Sequence, residues 1–596
     1  MTIGENTNTF LVQAPGPLPP PWDTMPVRVD VEESNTLPAV AQLRYLDPER
    51  TLLEDTGIRI GTQLRIRVKS GGASAELPLF EGEVVSMEVE YDKGRGSFTT
   101  IRAMDAAHRL QRGRKVLGFI NQKASEIATQ VARAAGVPLG RIDATATAYP
   151  LRTQANVTDW DFLATLAREN DREMGVSDGR FFFRTPVPAA SAPASSGAVE
   201  ESPVGIKMGE NVLFVRSSVT SVNQTSAVTV RGWDVKQKKS LRAEKAVKAG
   251  DGLRIGVDSA EAVKPFEGRR PSETLVADYP YQTDAEVKAV STAFAADQAD
   301  AVAELEVVVH GNPRLRVGTP VVLDAAGKPF DGKYTVTASR HTDEPGSGYE
   351  TWLTVSGRQD RTPYGLATGG SAAAHSPRVP GVAVGIVTDV KAPLALGEQG
   401  WVRLKLPWLS DDVGRERAYT TDWVRTVQLG GVGGGGVFSP EVDDEVLVAF
   451  EQGMLDRPYV IGGLYNGVDK PTADPVKLVD GRSGKVNRRS FASRGGQRIE
   501  LLDAVPGPSG VRLRTNRDRL SLHLDQQNTV ITVHSDGRVA IDARQDITVT
   551  GTGIVLDAGK GELKLTGQSV SVEATTGVEV NGGTRCAVNA RIVEIN

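Results

Sequence analysis

The stretch that decides the fold is residues 539–580, which read VAIDARQDITVTGTGIVLDAGKGELKLTGQSVSVEATTGVEV. Pairs of apolar residues recur here, with one residue between the two members: Val539/Ile541, Ile547/Val549, Ile554/Leu556, Leu563/Leu565, Val570/Val572 and Val578/Val580. The first members lie 7 to 9 residues apart, about 7.8 on average, and Gly or Asp often stands between the pairs. Each unit predicts one short β-strand and a turn, the pattern of a β-solenoid.

Two inward apolar side chains per unit are too few for such a strand to bury itself, and long exposed strand edges invite aggregation. No aromatic residue follows Phe491, so a wide core is excluded. Three copies winding around one axis would fill a narrow prism with small β-branched residues and share their edges. We therefore predict an intertwined triple-stranded β-helix in a homotrimer, with a β-helix formed by one chain as the alternative.

The composition excludes several classes of protein. The 596 residues are 39% hydrophobic and 24% charged, with a net charge of -5, which excludes a disordered chain and a strongly basic nucleic-acid binder. The sequence contains no run of about 18 apolar residues, so it predicts no membrane helix. The 63 glycines and the aromatic fraction of only 6% favour turn-rich β structure. Residues 511–596 carry as many basic as acidic side chains, so we expect no nucleic-acid binding by the shaft.

A single cysteine, Cys586, excludes an intramolecular disulfide or a zinc cage built from cysteines, and it fits production in a reducing cytoplasm. Residues 1–6 lack a basic segment followed by an apolar one, so we expect no signal peptide.

The rest of the chain predicts a mainly β protein with some α-helix. Alternating strands and three helices, near 126–135, 158–167 and 284–303, predict an α+β hub. Five strands in about 85 residues predict a small barrel of the OB type (the oligonucleotide/oligosaccharide-binding fold). The predicted organisation is a Pro-rich arm 1–24, hub 25–365, linker 366–380, OB-fold barrel 381–467, connector 468–497 and β-helical shaft 498–596.

The barrel carries the most specific motifs of the chain. They are LKLPWLSDD at 404–412, WVR at 423–425, FSPEVDDEVLVAFEQG at 438–453 and RPYVIGGLYNG at 457–467. Over about 90 residues this region closely resembles the barrel of VgrG-type and phage baseplate spike proteins. The sequence departs from the family at Asp443, where the family usually has Gly, and this affects one turn.

The hub resembles the late control D part of the same proteins, more loosely, through TDWDFL at 158–163, VHGNP at 309–313 and DGKY at 331–334. The resemblance implies a trimeric central spike of a contractile injection system. It also implies two barrel-like subdomains per hub, which form a pseudo-hexameric ring against the hexameric inner tube and contact baseplate proteins.

Some related phage spikes bind iron in their tip through an H-x-H motif. The segment 588–596 keeps the β pattern but has no histidine. We therefore expect a blunt end, which a separate tip protein of the PAAR type covers. We expect cargo effectors as further partners, and contact with the target cell envelope during injection. The resemblance implies cytoplasmic assembly and then a place in an injection particle.

Four features of the sequence are candidates for functional sites. Gly430–Gly436 lacks the GK[ST] and the following helix of a phosphate loop and predicts a flexible barrel loop. Asp443-Asp444-Glu445 predicts a solvated turn, and Asp159 and Asp161 predict a helix cap with Thr158. No two of the six histidines, at 108, 310, 341, 375, 523 and 534, have metal-ligand spacing. We expect no catalytic, cofactor-binding or metal-binding residue.

These features predict a structural protein rather than an enzyme. The connector 468–497, basic through Arg482, Lys485, Arg488, Arg489 and Arg494, predicts a solvated link and is too short for an enzyme domain. A cell-wall-degrading baseplate enzyme is the alternative. A sugar- or nucleic-acid-binding barrel is a weaker one, because the barrel has Gly where a binding face would need stacked aromatics and basic residues. The injection system itself has three alternatives: a phage tail, a type VI secretion system and an extracellular injection particle. The sequence favours a phage-like or extracellular particle.

Overall fold

The computed structural model describes residues 8–23, 26–69, 76–194, 202–222, 224–248, 250–266, 268, 272–357, 378–393, 396, 398–409 and 419–595. Most of the predicted linker, residues 366–377, lies outside these residues. The chain divides into two compact units, Met1–Lys470 and Pro471–Asn596.

The first unit is mainly β. Its strands, in chain order, are β1 (Thr9–Gln13), β2 (Arg28–Ser34), β3 (Val40–Leu46), β4 (Gln63–Lys69), β5 (Glu76–Asp92), β6 (Gly96–Met104), β7 (Lys115–Lys123), β8 (Leu139–Ile142), β9 (Ala148–Val157), β10 (Glu173–Ser177), β11 (Arg180–Arg184), β12 (Gly205–Lys207), β13 (Val212–Val219), β14 (Ala227–Asp234), β15 (Lys239–Ala246), β16 (Leu253–Ile255), β17 (Glu273–Tyr281), β18 (Ala303–His310), β19 (Pro320–Asp324), β20 (Gly332–Thr335), β21 (Ala338–Glu344), β22 (Gly348–Val355), β23 (Val382–Asp389), β24 (Arg403–Lys405), β25 (Arg425–Thr426), β26 (Glu445–Phe450) and β27 (Pro458–Gly463). Its α-helices are α1 (Leu52–Thr56), α2 (Ala124–Ala134), α3 (Asp159–Glu169), α4 (Ser259–Val263) and α5 (Asp284–Asp300).

One ten-stranded sheet joins the two halves of the hub, in the order β1-β4-β5-β6-β3-β2-β21-β22-β18-β13. The halves meet where β2 pairs with β21, with Val31 opposite His341. Strand β4 shows the alternation that builds the sheet, because Leu64, Ile66 and Val68 are buried while the residues between them are exposed. Strand β1 lies within the predicted Pro-rich arm and pairs with β4 at the edge of this sheet.

Smaller sheets complete the hub: β7-β9, β10-β11-β8, β12-β19-β20-β16 and β15-β14-β17. Helices α2 and α3 share a core with Phe119, Phe181 and Phe183. Helix α2 begins at Ala124, two residues before the predicted start at 126, and the Ser125 hydroxyl accepts the backbone N–H of Thr145 at 3.2 Å. Helix α5 ends at Asp300, three residues short of the prediction.

The five strands predicted for the barrel form one five-stranded sheet in the order β24-β23-β26-β27-β25. Strand β26 alternates between half-buried and buried residues, and its buried members include Val446 and Val448. These pack in one core with Leu404, Leu406 and Val460. The mainly β class, the α+β hub and the OB-type barrel are therefore confirmed.

The second unit contains a five-stranded antiparallel meander. Its strands are β28 (Arg488–Ala492), β29 (Arg498–Asp503), β30 (Ser509–Arg514), β31 (Leu520–Asp525) and β32 (Val530–Ser535), and each pairs with the next along the chain. Strand β28 falls within the predicted connector. We call residues 488–535 the shaft sheet.

Residues 536–595, which we call the repeat segment, contain no strand within this single chain. Bends or turns recur at residues 536, 544, 552, 559, 567, 575, 583 and 591, seven or eight residues apart. This spacing matches the period of the apolar pairs, so the predicted repeat is present in the backbone although the predicted strands are not paired.

Candidate functional site

The Gly-rich segment Gly430–Gly436 lies in the barrel. Leu429 and Gly436 form a bridge across it, and Gly430, Gly433 and Gly435 have positive φ angles of 134°, 72° and 106°. A Cβ on Gly435 would collide with the backbone carbonyl of Leu429, so this tight turn requires glycine. The next element of the chain is strand β26 and not a helix, so this barrel loop lacks the strand–loop–helix arrangement of a phosphate loop.

The acidic segment before β26 is a turn. Asp443 has a φ angle of 73°, a left-handed conformation that favours glycine, and its backbone N–H donates to the carbonyl of Val387 at 2.9 Å. The Asp444 carboxylate accepts the backbone N–H of Glu441 at 2.7 Å, and Glu445 pairs with the side chain of Asn466. The left-handed angle gives a physical reason for the glycine that related barrels usually have at this position.

Thr158 caps helix α3, as predicted, because its hydroxyl accepts the backbone N–H of Asp161 at 3.1 Å. The Asp161 carboxylate accepts the Thr158 hydroxyl at 2.7 Å rather than a backbone N–H. Asp159 is buried and accepts from Lys115 at 2.7 Å. The two aspartates therefore serve a cap and an ion pair.

The described histidines do not form a common metal site. His108 is buried and hydrogen-bonds Glu83 at 2.8 Å, whereas His341 is buried against Tyr349 at 2.9 Å. Burial lowers the pKa of His341 to about 3, so this imidazole is neutral. The remaining described histidines lie at the end of β18 and in strands β31 and β32, and His375 lies outside the described residues. Among the residues that the structure describes, no three His, Cys, Asp or Glu side chains gather as a metal-binding group.

A buried ionic network joins the hub to the barrel. Arg152 in β9 donates to Glu169 in α3 at 2.7 Å and to the Tyr279 hydroxyl at 2.9 Å. Tyr279 in turn donates to Asp456, which precedes β27 in the barrel, at 2.6 Å. Burial is the largest single influence on the pKa of Arg152 and would lower it. The nearby Glu169, Tyr279, Tyr149 and Asp456 together outweigh burial and raise that pKa well above its usual value.

Two further contacts support this junction. The guanidinium of Arg457 in the barrel lies 3.7 Å from Glu286 of α5, and both side chains are almost fully buried. The hydroxyls of Thr153 and Tyr419 hydrogen-bond at 3.0 Å. Because the charges at the junction are buried and paired, the barrel is held against the hub in one orientation.

The shaft sheet has one polar and one apolar face. On the polar face, the side chains of Asp474 and Glu500 are fully buried among four arginines: Arg488, Arg498, Arg512 and Arg514. Arg512 lies 2.8 Å from Glu500, and Arg498 lies 3.3 Å from Asp474. Arg488, expected in a solvated connector, is only 4% exposed, because the segment carrying Asp474 covers this face.

The opposite face of the shaft sheet is apolar and exposed. Strand pairing aligns its side chains in two rows. One row crosses all five strands, Phe491–Ile499–Leu513–Leu522–Val533, and the other crosses β29 to β32, Leu501–Val511–Leu524–Ile531. Six of these nine are between 38% and 62% exposed, Ile531 is 72% exposed, and Val511 and Leu522 are half-buried. A contiguous apolar face of this size marks an interaction surface.

The repeat segment exposes its apolar pairs in a regular way. The first members, Val539, Ile547, Ile554, Leu563, Val570 and Val578, are 54–58% exposed. The second members, Ile541, Val549, Leu556, Leu565, Val572 and Val580, are 64–77% exposed. The six units are thus nearly equivalent in environment, and none of them buries its apolar side chains within one chain.

Comparison with known proteins identifies the barrel. The family described as the type VI secretion system/phage-baseplate injector OB domain matches residues 383–465. A second family, described as the Alg8 N-terminal domain, matches residues 61–344, which run from β4 to β21 of the hub. No helix in the part of the chain that the structure describes is long and apolar enough to cross a membrane.

Among curated proteins, the chain is 30% identical over 106 residues to the type VI secretion system spike protein VgrG2a of Pseudomonas aeruginosa, which is 17% of this chain and 12% of the relative. VgrG2b of the same organism matches equally, over 10% of its length. The chain thus spans about a tenth of the length of these relatives.

Two solved structures share the fold over most of the chain. A chain of the half-lidded Francisella PdpA–VgrG complex superimposes with a TM-score of 0.53 at 8% identity, covering 89% of this chain and 88% of that chain. A chain of the lidless PdpA–VgrG complex gives a TM-score of 0.50 at 8% identity, covering 88% and 98%. The chain therefore shares the fold of these chains of the PdpA–VgrG complexes. In its barrel and in the matched 106 residues, the chain is similar to type VI spike and phage baseplate proteins, and in this sense it is VgrG-like.

The sequence analysis did not predict two features: the apolar face of the shaft sheet and the ionic network between hub and barrel. The apolar face of the shaft sheet has a readable signal, since Ile499/Leu501, Val511/Leu513 and Ile531/Val533 alternate with polar residues. The hub–barrel network has none, because Arg152 and Asp456 are about 300 positions apart and nothing local marks either as buried.

Proposed function

We propose that this protein is the structural central spike and hub of a contractile injection system, joining the inner tube to a membrane-piercing tip. The observation that carries the proposal is an injector OB barrel, held in a fixed orientation on its hub, in a chain that also carries a shaft with exposed apolar side chains. The division into hub 25–365, barrel 381–467 and shaft 498–596 is part of this proposal.

The protein acts as a homotrimer in this proposal. Apolar side chains at half to three-quarters exposure along 60 residues are incompatible with a soluble monomer, and three chains around one axis remove them from water. Strands bonded across chains resist unfolding under load, because all three chains must separate together. Sheath contraction supplies the force.

Partners follow from this architecture. The hub contacts the hexameric inner tube and baseplate proteins, and a PAAR-like protein covers the end of the shaft, where Val593 and Ile595 are exposed. Cargo effectors travel with the spike, and the target cell envelope is met during injection. The protein is assembled in the cytoplasm and leaves it by contraction of the particle.

The full-length protein in solution tests the proposal directly. Light scattering should give a mass three times 63.6 kDa. A clean monomer at micromolar concentration would remove the proposed spike.

An enzymatic hub is the second candidate function, since residues 61–344 match the Alg8 N-terminal domain and the hub contains a cavity of about 800 Å³ lined by Trp160, Tyr281 and Phe294. Two of the carboxylates at this cavity are engaged, because Glu169 pairs with Arg152 and Asp300 accepts the backbone N–H of Gly252 at 3.0 Å. We therefore favour a non-catalytic protein without cofactor. Incubation of the purified protein with peptidoglycan decides between the candidates, and saturable product formation would establish the enzyme.

A further inference from the structure

The two parts of the shaft differ in how their backbone is bonded. In the shaft sheet, residues 488–535, every strand pairs with its neighbour in the same chain through short connections. In the repeat segment, residues 536–595, no strand pairs within the chain. Contacts between sequence neighbours form fastest, so the shaft sheet can form in each chain before chains meet.

The shaft sheet covers only one of its own faces. Its polar face is closed by Asp474 and the arginines around it, whereas the opposite face keeps Leu501, Leu513 and Ile531 exposed. The repeat segment of the same chain does not cover these side chains, since their exposure is that of the whole described chain. The apolar rows are nearly free of charge, apart from Arg489 beside Leu501, so a second copy of the same face is a fitting partner.

The repeat segment by itself specifies its alignment poorly. Its six apolar pairs recur every seven to nine residues and have nearly equal exposure, so a shift of one chain by one unit places apolar pairs against apolar pairs again. Strand register is weakly specified where shifted alignments bury the same set of side chains. The shaft sheet is less regular, because the first members of its apolar pairs, Ile499, Val511, Leu522 and Ile531, lie 12, 11 and 9 residues apart and its strands differ in charge.

We infer that the shaft sheet is the trimerisation nucleus of the protein: its apolar face brings three copies together and fixes their register before the repeat segment pairs across chains. This inference rests on the proposed trimer. It assigns the start of assembly to residues 488–535 and gives the repeat segment a later role, in extending the shaft.

Two valines provide a matched test. Val533 on the apolar face is 62% exposed in one chain, and Val572 in the repeat segment is 69% exposed, so Val533→Asp and Val572→Asp place the same charge at similarly exposed positions. Ile531→Asp, at the 72% exposed Ile531, is a second variant of the face. Each substitution is compatible with the single chain, because each side chain is exposed there.

The full-length variants are purified and their masses measured by light scattering across a dilution series. We expect Val533→Asp and Ile531→Asp to lose the trimer at concentrations where the wild type is fully trimeric. We expect Val572→Asp to stay trimeric with a lower unfolding temperature. The proposed nucleus would be refuted if Val533→Asp and Ile531→Asp both stay trimeric. It would also be refuted if Val572→Asp is monomeric. A monomeric wild type would instead refute the proposed trimer itself.

Discussion

The hub–barrel junction offers the sharpest stability prediction, through the substitution Glu169→Gln. Arg152 is 2% exposed and its charge is compensated chiefly by Glu169 at 2.7 Å. Glutamine keeps the shape and an acceptor oxygen but removes the charge, which leaves a buried guanidinium without its main counter-ion. Removing one partner of a buried pair costs about 3–5 kcal/mol.

We expect the lower end of that range, because Arg152 keeps its hydrogen bond to Tyr279 at 2.9 Å. A loss of about 3 kcal/mol corresponds to roughly a hundredfold in the unfolding equilibrium. The assay is the urea midpoint of the transition that reports the hub and barrel, followed by intrinsic fluorescence of the full-length protein.

Glu81→Gln is the matched control. Its pair with Arg65 has a similar distance, 3.0 Å, but both side chains are partly exposed, so its loss should cost less than about 1 kcal/mol. The double variant Arg152→Met/Glu169→Leu should recover most of the stability, since apolar side chains can replace a buried ion pair. A midpoint for Glu169→Gln equal to that of the control would refute the role assigned to the network.

Three further predictions concern single residues. Although burial opposes it, hydrogen bonds from Arg109 and His108 lower the pKa of Glu83 to about 2 from its ordinary 4.5, so its contribution is present above pH 4.5 and lost as the pH falls to about 2. Glu83→Gln should therefore reduce the loss of unfolding free energy between pH 4.5 and about pH 2, by at most about 3 kcal/mol. Urea titrations at each pH measure this free energy. Asp443→Gly should stabilise the barrel, by less than about 1 kcal/mol, because it relieves a left-handed φ angle at an exposed side chain; a lower melting temperature would contradict this. Cys586 is exposed in the single chain and follows Val578 by eight residues, in phase with the first members of the pairs. Its thiol should react with a maleimide much more slowly in the native protein than in urea, and equal rates would place it outside the interface.

Local patterns explain which parts of the fold were predictable. The barrel strands are short runs rich in apolar and β-branched residues, and that local signal predicts all five. The pairing of β2 with β21 was not predictable, because about 300 residues separate them and neither strand marks its partner. The prediction of a solvated link was wrong for Arg488. The basic composition of 468–497 is typical of a solvated segment, but Arg488 is buried because the segment that carries Asp474 covers it.

The same physics explains why the functional region looks incomplete in one chain. A strand with two apolar side chains gains too little from burial to offset the ordering of its backbone, so the repeat segment needs partners to fold. The shaft sheet is different, because five strands with internal hydrogen bonds and a closed polar face can persist while the apolar face waits for copies. In the proposed trimer, the shaft therefore benefits from a less repetitive element placed ahead of the repeat. Insertion of a whole unit of eight residues within 547–572 should then lengthen the shaft without loss of the trimer, whereas insertion within the shaft sheet should abolish it.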